Sequence, residues 1–170
     1  MSSLDGMRMD PDEMVSLCAF HAGSGLFGID TRQIREVLGA VAPQWVPLAP
    51  ECIAGIMPYR GEVLTTVSLR ALLGLERGSG AQCAIVLDND NNEQFGLMVD
   101  KVGGVVTMAR SALEANPNVL DTCCNTLFAW LYKVPGGPMV RLDPWQLRPS
   151  QLMEGGLPGY LKQERKNEHR

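Results

Sequence analysis

Two stretches of the sequence follow the same plan, and this repetition limits the folds that the chain can adopt. Residues 53–75 read IAGIMPYRGEVLTTVSLRALLGL, which is two apolar runs split by a polar turn and followed by a short helical segment. Residues 127–147 read LFAWLYKVPGGPMVRLDPWQL and repeat that order. Ser68 and Asp143 stand at the two helix starts, where such side chains cap a helix. We interpret the chain as two copies of one β-rich unit.

The segments that precede these hairpins also repeat. Phe-Gly-Ile at 27–29 corresponds to Phe-Gly-Leu at 95–97 in the second copy. Residues 31–38 fit either a strand or a short helical stretch. Short strands with regular turn signals are typical of barrels and sandwiches, and the helical segments are too short for a parallel α/β sheet. We predict a mainly β fold of two interlocked units, roughly 26–82 and 83–150, with the N-terminal strand shared.

The composition excludes several classes of partner. The 170 residues carry a formal net charge of −4 without a basic stripe, so nucleic acid is not expected as the main partner. No apolar run approaches the ~20 residues of a membrane span, and the N-terminus lacks a signal-peptide pattern. We therefore expect no direct membrane insertion. The five cysteines lack CxxC spacing and are typical of free thiols in a reducing cytoplasm.

One glycine motif suggests a nucleotide site. Residues 23–28 spell GxGxxG, which binds a dinucleotide when a strand precedes it and a helix opens inside it. Here the following residues, LFGI, continue as a strand, so a plain hairpin turn is the favoured interpretation. A small-ligand or nucleotide-binding β-barrel that uses the Gly23–Gly28 loop remains the alternative.

No metal, cofactor or catalytic group is evident. Asp88–Glu93 begins like a calcium loop, but Glu93 occupies the sixth position, which requires glycine, and Val99 occupies the twelfth, which requires glutamate. His21 and His169 have no nucleophile or metal ligand near them in the sequence. We predict no enzymatic activity, because an apolar domain without such groups is more often a binding or scaffold module.

The residues around Arg60 resemble the signature of the CheW family, the coupling proteins of bacterial chemosensory arrays. The signature is I-x-G-I, then Arg-Gly at a turn, a strand, and S-L-R-x-L-L-G. Three other segments, FGIDTRQIREV, FGLMVDKVGGVV and LYKVPGGPMVRLDPWQL, resemble the family's early strand, its Val-Asp-x-Val strand and its closing hairpin. The segments occur in the family order and cover residues 15–150.

The resemblance implies two small β-barrels of about five strands each, packed around a shared apolar interface, with short helices. It implies a non-enzymatic adaptor that links the cytoplasmic tips of chemoreceptors to the regulatory domain of a CheA-type histidine kinase. The family domain would occupy 14–150, between a flexible arm at 1–13 and a polar tail at 151–170. The protein would be cytoplasmic and lie at the inner face of the membrane through receptor arrays.

The resemblance also assigns residues to two partner sites. The residues that match receptor-binding positions are Gly55, Arg60, Gly61, Val102 and Val105. The residues that match kinase-binding positions are Ile34 and Glu36. From the residues alone, the three apolar ones could equally be core, Arg60 could be an ordinary turn residue, and Glu36 could pair with Arg32 or Arg35.

Two departures from the family pattern lie next to the turn. Pro58-Tyr59 stands where the family has Asn-Leu, and residues 65–69, TTVSL, replace its Pro-Val and Asp-Leu. Proline lacks a backbone donor, so its strand is expected at a sheet edge or a bulge. The departures leave the choice of receptor open, and a non-flagellar chemosensory pathway is one alternative.

Overall fold

The computed structural model describes residues 13–78, 82–88, 93–117 and 127–154, and strands dominate them. The first half holds β1 (Met14–Ala22), β2 (Gly25–Asp30), β3 (Ile34–Val41), β4 (Ile53–Tyr59), β5 (Glu62–Ser68) and α1 (Leu69–Leu72). The second half holds β6 (Gln82–Asp88), β7 (Gln94–Val99), β8 (Lys101–Ala109), β9 (Glu114–Ala115), β10 (Trp130–Val134), β11 (Gly137–Arg141), α2 (Pro144–Leu147) and α3 (Pro149–Glu154). In this described part of the chain, two 3-10 turns lie at Thr31–Gln33 and Arg110–Ala112.

The strands form two sheets with related topology. The first sheet has six strands in the order β8-β1-β2-β11-β10-β9, and the second has five in the order β3-β6-β7-β5-β4. In each sheet an antiparallel hairpin, β1-β2 or β6-β7, lies beside a second hairpin through one parallel pair. The predicted two-unit, mainly β fold is therefore confirmed.

The sheets do not follow the division of the sequence at residue 82. The hairpin β1-β2 precedes β3–β5 in the chain, yet it pairs with β8 and β11 in the first sheet. The hairpin β6-β7 begins the second copy, yet it pairs with β3 and β5 in the second sheet. The first hairpin of each half of the chain therefore joins the sheet that contains the later strands of the other half. The ranges 26–82 and 83–150 stay a prediction as domain boundaries.

Among the described residues, three apolar clusters form the interior, as strand alternation requires. Each sheet curves into a barrel-like unit, and we call these units the first and second barrel. On β1, Leu17 and Ala19 pack with Tyr132 inside the first barrel, while Phe20 and Ala22 point to the core shared by both sheets. The second barrel has its own interior, formed by Tyr59, Leu64 and Val86 with Leu38 and Met57. The shared core draws on both sheets, so neither sheet buries its apolar face alone.

Several local predictions are confirmed. Ser68 Oγ accepts a hydrogen bond from Ala71 N at 3.2 Å, and Asp143 Oδ1 accepts one from Trp145 N at 3.0 Å, so both helices are capped. Residues 31–38 divide into the first 3-10 turn and the start of β3.

The Gly23–Gly28 loop is the turn of a hairpin. Gly23 lies at φ +59°, and β2 begins at Gly25. No helix opens in this loop, so the nucleotide motif lacks its structural context. This loop geometry does not favour the alternative function.

None of the helices in the described residues has the length and apolar character needed to cross a bilayer. Several predictions fall outside the described residues: the flexible arm up to residue 12, most of the calcium-like loop at 89–92, two of the five cysteines (Cys123 and Cys124), and the tail from residue 155.

Candidate functional site

The turn between β4 and β5 puts an arginine where the backbone favours asparagine or glycine. Tyr59 pairs with Glu62, which leaves a two-residue loop, Arg60-Gly61. Both residues have positive φ, +50° and +79°, as in the type I′ turns that suit tight hairpins. Arginine pays a steric cost there that asparagine and glycine largely avoid. A strained residue in an exposed turn suggests a function for its side chain.

Pro58 is tolerated because β4 is an edge strand. The strand pairs with β5 on one side and ends the order of the second sheet. A missing N–H on the open side removes no ladder hydrogen bond. The edge position predicted for Pro58 is confirmed.

Arg60 belongs to a cluster with Tyr59 and Glu36. The Tyr59 hydroxyl donates to Glu36 Oε2 at 2.6 Å, and Arg60 Nε donates to the Tyr59 hydroxyl oxygen at 3.0 Å. Arg60 Nη2 lies 3.4 Å from Glu36 Oε2, and its guanidinium lies 5.4 Å from the centroid of the Tyr59 ring. We call these three residues the clasp, because Glu36 lies on β3 and Tyr59 on β4, the two edges of the same sheet.

The clasp also sets the charge state of its members. The hydrogen bond from Tyr59, followed by the charge of Arg60, holds the pKa of Glu36 below its usual value. The bond to Tyr59 and the nearby carboxylate raise the pKa of Arg60. The pair is therefore ionised at neutral pH. The Arg60 side chain keeps 65% of its surface exposed and remains open to a partner.

The clasp brings together two residues predicted to serve different partners. Arg60 matches a receptor-binding position and Glu36 a kinase-binding position. The alternative pairing of Glu36 with Arg32 or Arg35 is wrong, since Arg32 pairs with Asp30 at 2.8 Å and Arg35 with Asp88 at 3.2 Å.

A bulge in β3 makes the clasp possible. Ile34 lies opposite Leu87, but Glu36 lies opposite Val86, so the register shifts by one residue between them. Ile34 packs against the shared core, while Val86 belongs to the interior of the second barrel. The bulge therefore turns Glu36 toward the opposite face from Ile34, which a regular strand would not do.

Gly55 has a structural reason to be glycine. Its φ is +152°, and a Cβ there would lie 2.2 Å from the carbonyl oxygen of Gln44. That close approach comes from the bridge between Gln44 and Ile56, which fixes residues 42–50 against β4. A role for Gly55 in receptor binding stays a prediction.

The other predicted receptor residues lie on the first sheet. Val102 and Val105 belong to β8, an edge strand. Val105 is 64% exposed, whereas Val102 is half-buried and packs against the shared core. Val105 is thus free to meet a partner, and Val102 is partly committed to packing. The predicted receptor site is divided between this strand and the β4-β5 hairpin.

Sequence reasoning missed the roles of Tyr59 and Val63. Tyr59 is buried in the second barrel and is the hydrogen-bonding centre of the clasp. Val63 pairs with Pro58 and is 72% exposed, so the hairpin has an apolar outer face. Strand alternation could have predicted the exposure of Val63, because its neighbour Leu64 points into the barrel.

The described residues offer no metal centre, since no three His, Cys, Asp or Glu side chains converge there. Burial raises the pKa of Cys52 to about 11, so this thiol stays protonated and is not a nucleophile.

Comparison with known proteins identifies the family of this chain. Residues 16–151 match the family model of the CheW-like domain. The chain belongs to the CheW family. A chemotaxis protein CheW from Treponema pallidum is 25% identical over 114 residues, which are 64% of this chain and 67% of that protein. A chemotaxis protein CheW from Rhizobium meliloti is 27% identical over 104 residues, which are 61% of this chain and 67% of that protein.

A solved structure agrees with the CheW-like architecture. The scaffolding protein TtCheW from Thermoanaerobacter tengcongensis superposes with a TM-score of 0.71 at 22% sequence identity. The match covers 86% of this chain and 100% of that chain. At this level of identity the likeness shows the fold and leaves the partner sites to be tested.

Proposed function

We propose that this protein is a non-catalytic adaptor in bacterial chemotaxis signalling, which couples chemoreceptors to a CheA-type histidine kinase. The match of residues 16–151 to the CheW-like domain supports it, together with relatives named chemotaxis protein CheW. The adaptor would act in the cytoplasm, and receptor arrays would hold it near the membrane. It would turn over no substrate.

The single observation that carries the proposal is the clasp at the β4-β5 turn. It fixes an exposed, charged arginine at a position where the backbone would favour asparagine or glycine. Such an arginine can supply register and specificity through polar contacts to a partner. The exposed apolar pair of Pro58 and Val63 lies on the same hairpin and can pack against the apolar stripe of a receptor helix.

The receptor surface that we propose uses Gly55, Arg60 and Gly61 on the hairpin and Val102 and Val105 on β8. Gly55 and Gly61 act there by shaping the backbone, and Arg60 and Val105 by contact. This division explains why exposed and buried residues occur in one proposed set.

The kinase surface that we propose lies on β3, at Ile34 and Glu36. Glu36 keeps 36% of its side-chain surface exposed, although it binds Tyr59 and Arg60. A kinase that draws Glu36 out of the clasp would change the position of Arg60, and a receptor that draws Arg60 away would change Glu36. By thermodynamic linkage, the kinase would change the free energy of receptor binding by the same amount as the receptor changes the free energy of kinase binding.

The test is calorimetric titration with the regulatory domain of a chemosensory kinase encoded in the same genome. We expect saturable binding that Glu36→Arg weakens. Glu62→Arg is the matched control, because Glu62 is an exposed carboxylate at the end of the same turn. Equal weakening by both variants would show a general charge effect, and no binding by the wild type would remove the proposed function.

The receptor arm of the test compares Arg60→Glu with Arg77→Glu, another exposed arginine. We expect the first variant to lose binding to the receptor tip and to keep a melting temperature near that of the wild type. A large fall in its melting temperature would instead assign Arg60 a structural role.

A further inference from the structure

A polar cavity of about 510 Å³ opens at one end of the first barrel, away from the clasp. Its walls include Asp30, Arg32, Arg110, Tyr132 and Arg141. They come from β2, from both 3-10 turns and from the paired strands β10 and β11. Three arginines and two aspartates line this cavity, and the adaptor function proposed above makes no use of them.

The register of β11 sends Arg141 toward the barrel interior. Met139 packs with Tyr132 in the first barrel, while Val140 packs against the shared core. Because side chains alternate along a strand, Arg141 lies on the same side as Met139. Val15 and Leu17, members of the barrel interior, line the same cavity. A charge therefore occupies an inward position where alternation calls for an apolar residue.

The other two arginines of the cavity each have a carboxylate partner, whereas Arg141 has none in the described residues. Arg32 binds Asp30 through Nε at 3.2 Å and Nη2 at 2.8 Å, and Arg110 Nη2 lies 3.1 Å from Glu13 Oε2. Asp143 caps α2. Within the described residues, Arg141 makes no ion pair of this kind, and its Nε is buried without a hydrogen-bond partner.

Buried donors of this kind are rare in folded proteins, because an unpaired polar group in a low-dielectric site is costly. A donor that belongs to a charged group is the costlier case to leave without an acceptor. The observation calls for an acceptor that enters from outside the described structure, and the charge of Arg141 favours an anion.

Tyr132 supplies a second donor at the same place. It is 2% exposed, and its strand position lies opposite Met139. Burial raises its pKa, against the lowering effect of the Arg141 and Arg110 charges, so the hydroxyl keeps its proton at neutral pH. A protonated hydroxyl beside a guanidinium can donate to one bound oxyanion.

We propose that this cavity is a binding site for a small oxyanion, a carboxylate or phosphate group, held by Arg141 with Tyr132 as a second donor. The planar guanidinium matches the two oxygens of either group. The cavity volume falls in the range that holds small metabolites. The site is separate from the clasp and does not depend on the adaptor function.

The test measures thermal unfolding and calorimetric binding of the full chain with sodium phosphate or sodium succinate, and with sodium chloride at equal ionic strength. We expect one of the two oxyanions to bind saturably and to raise the melting temperature, and chloride to do neither. Whether phosphate or succinate binds shows whether the site takes a phosphate or a carboxylate group. Arg141→Met should weaken that binding by about tenfold to a hundredfold.

Two further variants separate a ligand site from a structural arginine. Arg77→Met removes a comparable positive charge from the lining of a different cavity and should leave the binding unchanged. In chloride, Arg141→Met should melt no lower than the wild type, because the variant removes a buried unpaired donor. Tyr132→Phe keeps the ring and should weaken the binding of the oxyanion without unfolding the barrel.

Three outcomes would overturn the proposal. The first is a wild type that binds neither oxyanion saturably. The second is equal binding by the wild type, Arg141→Met and Tyr132→Phe, which would place the anion elsewhere. The third is an Arg141→Met variant that melts well below the wild type in chloride while Tyr132→Phe binds as the wild type does, which would make Arg141 a structural residue.

Discussion

At the scale of single residues, the candidate site depends on a conflict between a side chain and its backbone. The positive φ angles of the turn favour asparagine or glycine, but the sequence has Arg60 followed by Gly61 there. The clasp offsets part of that cost through Tyr59 and Glu36. The arginine is thereby held in place although most of its surface remains in solvent.

The backbone of this turn can be tested apart from its side chains. Gly61 has φ +79°, and a Cβ there would meet nothing within 4 Å. We expect Gly61→Ala to destabilise the protein by about 1 kcal/mol, through backbone strain alone. Arg60→Asn suits the same backbone and should change stability by less, while it removes the guanidinium. Chemical denaturation of the two variants measures both effects, and a larger loss for Arg60→Asn would contradict this account.

The clasp also predicts a dependence of stability on pH. The pKa of Glu36 is lower in the folded protein than in the unfolded chain, where it is about 4.3. Its stabilising contribution is therefore complete above the unfolded pKa and is lost as pH falls through the folded pKa. The difference in unfolding free energy between the wild type and Glu36→Gln should shrink between neutral pH and about pH 3. A difference that stays constant over this range would argue against the ion pair.

At the scale of elements, the β4 edge is held by a loop that has almost no regular structure of its own. Residues 42–50 contain three prolines, and their one bridge to β4 joins Gln44 and Ile56. Gly55 lets the Gln44 carbonyl come close enough for this bridge. The local backbone of the edge strand, and with it the hairpin that carries Arg60, depends on this contact.

Gly55→Ala should therefore be much more damaging than a glycine substitution elsewhere in the same sheet. The new Cβ would overlap the Gln44 carbonyl, and we expect a loss of more than about 2 kcal/mol. Gly39→Ala on β3 is the matched control, because a Cβ there meets nothing within 4 Å. Thermal unfolding of the two variants provides the comparison, and similar melting temperatures would show that the loop can move away freely.

At the scale of the whole molecule, the exchanged hairpins join the sheets into one cooperative structure. Phe20 and Phe27 from the first sheet stack with their ring centroids 6.0 Å apart, in the same core as Phe95 and Leu97 of the second sheet. Neither sheet can lose this core without exposing the apolar face of the other. We expect the two sheets to unfold together.

Leu97→Ala tests this cooperativity. Leu97 is fully buried in the shared core, so its truncation should cost about 2–5 kcal/mol. Trp130 reports on the first sheet and Trp45 on residues that contact the second, so single-tryptophan variants can follow each side. Both probes should shift to the same lower midpoint. Two separated transitions would show instead that the barrels unfold independently.

The sequence by itself determined the local structure of this protein, because local structure depends on backbone limits that each residue type carries with it. The hairpin at Arg60-Gly61, the caps at Ser68 and Asp143, and the edge position of Pro58 were all predictable in this way. The repeat also indicated two β units. The family resemblance supplied partner sites, which the fold leaves as predictions.

Only the tertiary structure decided which strands became neighbours and which side chains met. The parallel pairs β2-β11 and β5-β7 join distant parts of the chain, and alternation along a strand defines two faces without naming the partner of either. The bulge in β3 directs Glu36 toward Tyr59, 23 positions away. The register of β11 directs the Arg141 side chain toward the interior of the first barrel. Both results depend on long-range packing, which no local pattern in the sequence encodes.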